Sequence, residues 1–128
     1  MAGEKREFVR IPVKIPVRYW FVNRVSDARS PEILDGETTN VGGGGLMLVG
    51  RIPDLGWIPD MTTERIVIGV SLGLPGHHIT VVEALTRAAW VQVADQDQKK
   101  CILGLHFREM TSHDRDAVFQ YVIRARRP

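Results

Sequence analysis

The sequence predicts a mainly β fold: a six-stranded antiparallel barrel with one C-terminal α-helix. Three observations carry that expectation. Apolar residues recur at every second position through most of the chain, as in half-buried strands. Glycine and proline punctuate those runs at short intervals. Only after Met110 does the spacing become helical. With no helices between the strands, a parallel sheet is disfavoured, because parallel neighbours need long crossovers.

Residues 1–11 are rich in charge before any sustained apolar pattern and read as a flexible basic arm. Arg6 and Arg10 stand four apart, a spacing that puts both on one face in a helix or in a strand. Ile11 precedes Pro12, which biases the end of the arm towards extended backbone. Residues 12–128 read as a single domain. Ile15, Val17, Tyr19 and Phe21 then alternate with Pro16, Arg18, Trp20 and Val22, giving the first strand. Asn23 to Ser30 is polar and reads as a loop. Glu32 to Thr39 is a weaker strand with Ile33 as its apolar anchor.

The run Asn40-Val41-Gly42-Gly43-Gly44-Gly45 follows, and Gly45 to Gly50 is the next strand. Four bare glycines permit left-handed backbone and close approach of another chain or a ligand. A phosphate-binding P-loop or dinucleotide loop is excluded, since those open into a helix and the P-loop ends in Gly-Lys-Ser/Thr. Arg51 to Thr63, with Pro53, Gly56 and Pro59, reads as a connecting loop with Trp57 plugging the core. Ile66, Ile68, Val70 and Leu72 form a strand ending in the turn Gly73-Leu74-Pro75-Gly76. Ile79 to Val93 is a long strand expected to bend at Ala84, Ala88 or Ala89. Asp95 to Gln98 is a hairpin tip, and Cys101 to Phe107 is the last strand, where Gly104 marks a bulge or a close approach.

The helix is expected over about 111–126. Thr111 and Asp114 resemble a capping box, and Arg124, Arg126 and Arg127 complement the negative end of the helix dipole. Val118, Tyr121, Val122 and Ala125 form its apolar face.

Composition bounds the function. The chain has 128 residues, 44% hydrophobic and 25% charged, with a net charge of +2. That is one ordinary globular domain with no general affinity for polyanions. A single cysteine, Cys101, excludes an internal disulfide and fits a reducing cytoplasm. The start has no signal-peptide core, and no run approaches the ~20 apolar residues of a membrane helix. A cytoplasmic domain without membrane insertion is therefore expected, as a monomer or weak homodimer.

Catalytic signatures are missing. His77, His78, His106 and His113 form no metal spacing, and the serines have no nucleophile-elbow context. No metal, no cofactor and no enzymatic activity are expected. Oligonucleotide binding, a rival for small barrels, wants exposed aromatics beside a positive groove. Tyr19 and Phe21 share the core face, which leaves only Trp20 beside Arg18 for that role, and no nucleic acid is expected as partner.

Three motifs now stand in order: Arg6-x-x-x-Arg10, Asn40-x-Gly42-x-x-Gly45, and Gly104-Leu105-His106-Phe107 ahead of the helix. Together they resemble the bacterial PilZ domain family over nearly the whole chain. The family pattern is Arg-x-x-x-Arg, then Asp/Asn-x-Ser-x-x-Gly further on. The resemblance implies a PilZ-like split barrel and a non-catalytic receptor for the second messenger cyclic di-GMP. By that resemblance Arg6 and Arg10 contact phosphates or guanines, with Lys5 as an added cation. Asn40 bonds a guanine edge, and Gly42 and Gly45 bring backbone N–H groups close. Arginine suits this ligand because its planar fork fits phosphate and the guanine O6/N7 edge. The implied output is arm ordering read by an unidentified protein effector. One departure is Gly42 where the family has serine. A lost hydrogen bond of about 0.5–1.5 kcal/mol weakens binding about two- to tenfold. The alternative it opens is a PilZ-like protein-interaction adaptor that does not bind cyclic di-GMP.

Overall fold

The computed structural model describes residues 10–126. Lys5 and Arg6 lie outside the described residues. The elements run β1 (Arg10–Pro12), β2 (Pro16–Asn23), β3 (Ala28–Arg29), β4 (Leu34–Gly42), β5 (Gly45–Arg51), α1 (Ile58–Thr62), β6 (Ile66–Leu74), β7 (Thr80–Asp95), β8 (Lys100–Glu109) and α2 (Ser112–Arg126). Strands are ordered β4-β5-β8-β7-β6-β2, and a β2–β4 pairing closes this ring of six. All pairings are antiparallel, and β1 and β3 attach to β4 and β2. The barrel expected from the alternation is the barrel observed.

Ile15, Val17, Tyr19 and Phe21 are each no more than 1% exposed, so the first alternating run points into the barrel. Burying such a side chain stabilises the fold by about 1.5–3 kcal/mol. Tyr19 keeps its hydroxyl satisfied by donating to the carbonyl of Arg51, and its ring packs edge-on to Phe21 at 6.0 Å.

Helix α2 begins where expected. The Asp114 N–H donates to Thr111 Oγ1 at 3.0 Å, and the Asp114 carboxylate accepts the Glu83 N–H at 3.1 Å, tying the helix start to β7. Val118 and Val122 are buried, and the helix rests on β7, β1 and β4. Ala125 is exposed, contrary to expectation: its turn extends past the surface that Val118 and Val122 cover.

Other expectations also need correction. The anchor of β4 is Leu34, at 4% exposed, while Ile33 is 53% exposed, because β4 starts one residue later than its apolar pair suggests. The loop after β5 contains a 3-10 turn (Leu55–Trp57) and then α1. Gly56 and Pro59 read as breakers, yet Asp54 Oδ1 accepts the Gly56 N–H at 2.8 Å and Pro59 sits in the first turn of α1, where a missing N–H costs nothing. This α1 delivers Met61 to the core. Trp57 plugs the core as expected, edge-on to Phe21 at 5.5 Å. The polar loop after β2 turns back as β3, paired with Val22 and Asn23. In β7 the irregularities fall at Leu85/Thr86, Ala88/Trp90 and Val93/Asp95, so Ala89 marks one bend.

Candidate functional site

The site is built by an irregularity in β4. Residues 34–37 of β4 pair with β2, whereas residues 40–42 pair with β1. Between them the register shifts, from Thr38 to Asn40. Thr38 anchors this switch from inside: its hydroxyl accepts the Ile15 N–H at 2.9 Å and donates to the Val13 carbonyl. Side chains alternate along a strand, so the extra residue reverses the faces beyond it. Leu34 and Thr38 point inwards, but Val41 is the next buried side chain and Asn40 turns outwards.

On that outer face two cross-strand rows assemble. Arg10 on β1 opposes Gly42 on β4, which opposes Gly45 on β5, then His106 on β8, then Arg87 on β7. Alongside run Asn40, Met47, Gly104 and Trp90. Arg10 Nη1 donates to Asn40 Oδ1 at 3.2 Å, and Asn40 Nδ2 contacts Met47 Sδ at 3.6 Å. The structure thus brings Arg10, Asn40, Gly42 and Gly45 together. The glycine run forms a floor with cations at both sides. Neighbouring strands lie about 4.8 Å apart, so Arg10 and Arg87 stand at most about 19 Å apart along the sheet.

Of the two uses expected of the glycines, the structure shows close approach and not left-handed backbone. No described glycine has a positive φ. Gly45 is required by close approach: a Cβ there would collide with the Leu105 carbonyl oxygen of β8. The freedom used is steric, and the two-residue turn Gly43–Gly44 joins β4 to β5 without left-handed backbone.

The far wall is one that sequence reasoning did not assign. Arg87 Nη2 lies 3.1 Å from His106 Nδ1. Arginine only donates, so Nδ1 is the acceptor and the neutral ring carries its proton on Nε2. Burial, then the charges of Arg87 and Arg10, hold the His106 pKa below its usual value. Glu64 bridges Arg87 (3.8 Å) and Arg108 (3.3 Å). It does so from a left-handed backbone (φ 65°), a conformation uncommon outside glycine that is found at sites where a side chain must be aimed. Trp90 lies over Gly104, where a Cβ would strike its indole, and remains 42% exposed. The glycine pattern around His106 hinted at close approach, but pairing with Arg87 and Trp90 needed the register.

Trp20, the other aromatic with a possible role in base stacking, is half-buried. It lies against Gly69, and the Arg29 guanidinium carbon is 4.6 Å above its ring. A cavity of about 760 Å³ lies elsewhere, between α2 and the β6–β7 turn, lined by Leu74, His77, His78, Ala117, Tyr121 and Arg124. His77 and His78 are exposed there, and no group of metal-ligating side chains occurs among the described residues. The candidate site is instead a surface flanked by Arg10 and Arg87. Among the described residues no helix is long and apolar enough to cross a membrane.

Comparison with known proteins agrees on the fold. No protein-family model and no curated protein matches the sequence. Among solved structures, the Bacillus subtilis inhibitor of motility, MotI/DgrA, superposes with a TM-score of 0.71 at 18% identity, over 96% of this chain and 52% of that one. This chain therefore spans about half of that protein. The PilZ domain of CeSA from a cellulose-synthesizing bacterium gives 0.56 at 17% identity, over 93% of this chain and 99% of that one. The PilZ domain of YcgR from Escherichia coli, solved with c-di-GMP, gives 0.57 at 9% identity, over 95% and 91%. These likenesses show that the chain has the fold of a PilZ domain.

Proposed function

We propose that this domain is a non-catalytic receptor for cyclic di-GMP that passes its signal to a protein partner. The observation that carries the reading is the docking of Arg10 on Asn40 at the edge of the floor of Gly42 and Gly45. The two residues stand thirty apart in sequence, and each comes from one half of the arginine-and-glycine pattern. A similar fold in YcgR was solved with the same ligand.

In this reading a phosphate competes for the Arg10 guanidinium, and a charge-assisted bond to phosphate is stronger than its bond to the neutral Asn40 amide. The Asn40 amide is then free for the guanine edge. Arg6 adds a second guanidinium from the arm, and Lys5 a further cation. The exposed face of Trp90 offers a base a stacking platform.

Ordering backbone costs about 1–2 kcal/mol per residue. Arg10 to Pro12 are already paired with β4, so that cost does not fall on them. The partner reads the ordered arm. A serine at position 42 would project beside Arg10; without it, affinity falls but the arginines still act.

Calorimetric titration of cyclic di-GMP tests the reading. The wild type is expected to bind, and Arg10→Ala to weaken binding about 10- to 100-fold, the loss of about 1–3 kcal/mol. No wild-type binding at high micromolar ligand would transfer the case to an adaptor without this ligand.

A further inference from the structure

Resting on the reading above, we propose that His106 couples ligand binding at this face to proton uptake, so that the receptor binds its phosphate ligand more tightly as pH falls. The argument begins with the hydrogen bond between Arg87 and His106. In the free site the guanidinium occupies Nδ1, which is the position an incoming proton would take. Arg87 lies on one side of the ring, and on the other side Gly45 offers no side chain. Beyond the glycines stands Arg10, whose charge also reaches the ring.

The charged groups around the imidazole come from several elements. They are Arg87 on β7, Arg10 on β1, Arg108 two residues on along β8, and Glu64 from the loop before β6. Gly42 and Gly45 leave β4 and β5 without a charge in the row. Burial first, then the charges of Arg87 and Arg10, disfavour the protonated ring.

A phosphodiester on the glycine floor leaves the burial in place but opposes the two charge effects. It offsets the field of Arg10 and Arg87. It also competes for the Arg87 guanidinium, which then leaves Nδ1 open. The freed nitrogen takes a proton from solvent and donates it to a phosphate oxygen, a charge-assisted bond. Binding is linked to protonation between the free and bound pKa values of one group, and affinity rises as pH falls through that window. His77, His78 and His113 face the other cavity and take no part.

The test is cyclic di-GMP calorimetry at about pH 6, 7 and 8, in paired buffers of different ionisation enthalpy, on wild type and His106→Gln. Wild type is expected to take up as much as one proton and to lose roughly tenfold in affinity from the lowest pH to the highest. His106→Gln should bind with an affinity independent of pH. A proton NMR titration of the His106 ring should show its pKa rising when cyclic di-GMP is added. Wild-type binding with a flat pH profile and no proton uptake would overturn the coupling and leave the receptor reading standing. A pH slope retained in His106→Gln would do the same. Failure of the wild type to bind at any pH would remove both.

Discussion

Two faces of the barrel use the same device to different ends. On the β2–β6 side Trp20 lies over Gly69, and on the β7–β8 side Trp90 lies over Gly104. In both, a glycine vacates one outer position and the neighbouring indole fills it. On the first face Arg29 closes over the ring, and Arg18 pairs with Asp35 nearby. On the second, Trp90 stays open near His106 and Arg87, with Arg10 and Asn40 at the far side of the glycine floor. Exposure therefore separates a covered indole from an open one. An indole over glycine buries apolar area cheaply, and it becomes a binding feature only where the outer ring face is left free and cations flank it.

The comparison breaks hardest at the floor of the open face. Gly45→Ala drives a Cβ into the Leu105 carbonyl, which is backbone and has no rotamer to escape into. The expected loss is about 3–4 kcal/mol, read by denaturant unfolding. A loss below about 1 kcal/mol would mean that β5 and β8 separate easily there.

An interior counterpart sharpens the point. Tyr19 lies against Gly50 as the tryptophans lie against their glycines, but it is fully buried. Burial raises its pKa to about 12 from 10.0. The phenol is neutral in both states below pH 10, so its contribution is complete there. As pH rises from about 10 to about 12 the unfolded chain ionises first, and stability falls by about 2–3 kcal/mol. Alkaline unfolding curves should show that loss, and Tyr19→Phe should remove it.

The smallest effects come from the paired glycines themselves. Gly69→Ala must displace a ring held on its other side by Arg29, and is expected to cost about 2 kcal/mol. Gly104→Ala displaces a ring free to swing outwards, at about 1 kcal/mol or less. The second variant should nonetheless weaken cyclic di-GMP binding more than the first. Equal effects on stability and on binding would show that the two faces do not differ in kind.

Much was readable before the structure because it depends on local pattern. The alternation from Ile15 to Phe21 determined an inward face, since a strand offers only two. The change of period after Met110, with Thr111 ahead of Asp114, determined the helix and its cap. The resemblance carried by the arginine and glycine motifs named Arg10, Asn40, Gly42 and Gly45, and the structure gathers them at one place. Other features are properties of pairing between distant segments. The irregularity at Thr38–Asn40 decides that Asn40 points outwards rather than into the core. No local signal marks it, because its cause is the exchange of β2 for β1 as the partner of β4. The same holds for the row joining Gly45 to His106 and Arg87, which depends on strand registers that a single sequence does not specify. Composition and periodicity by themselves determined a barrel and a helix, and the family resemblance supplied one wall of the candidate site. Only the closed sheet decided which face carries that wall and what stands opposite it, because register is a non-local property of paired strands.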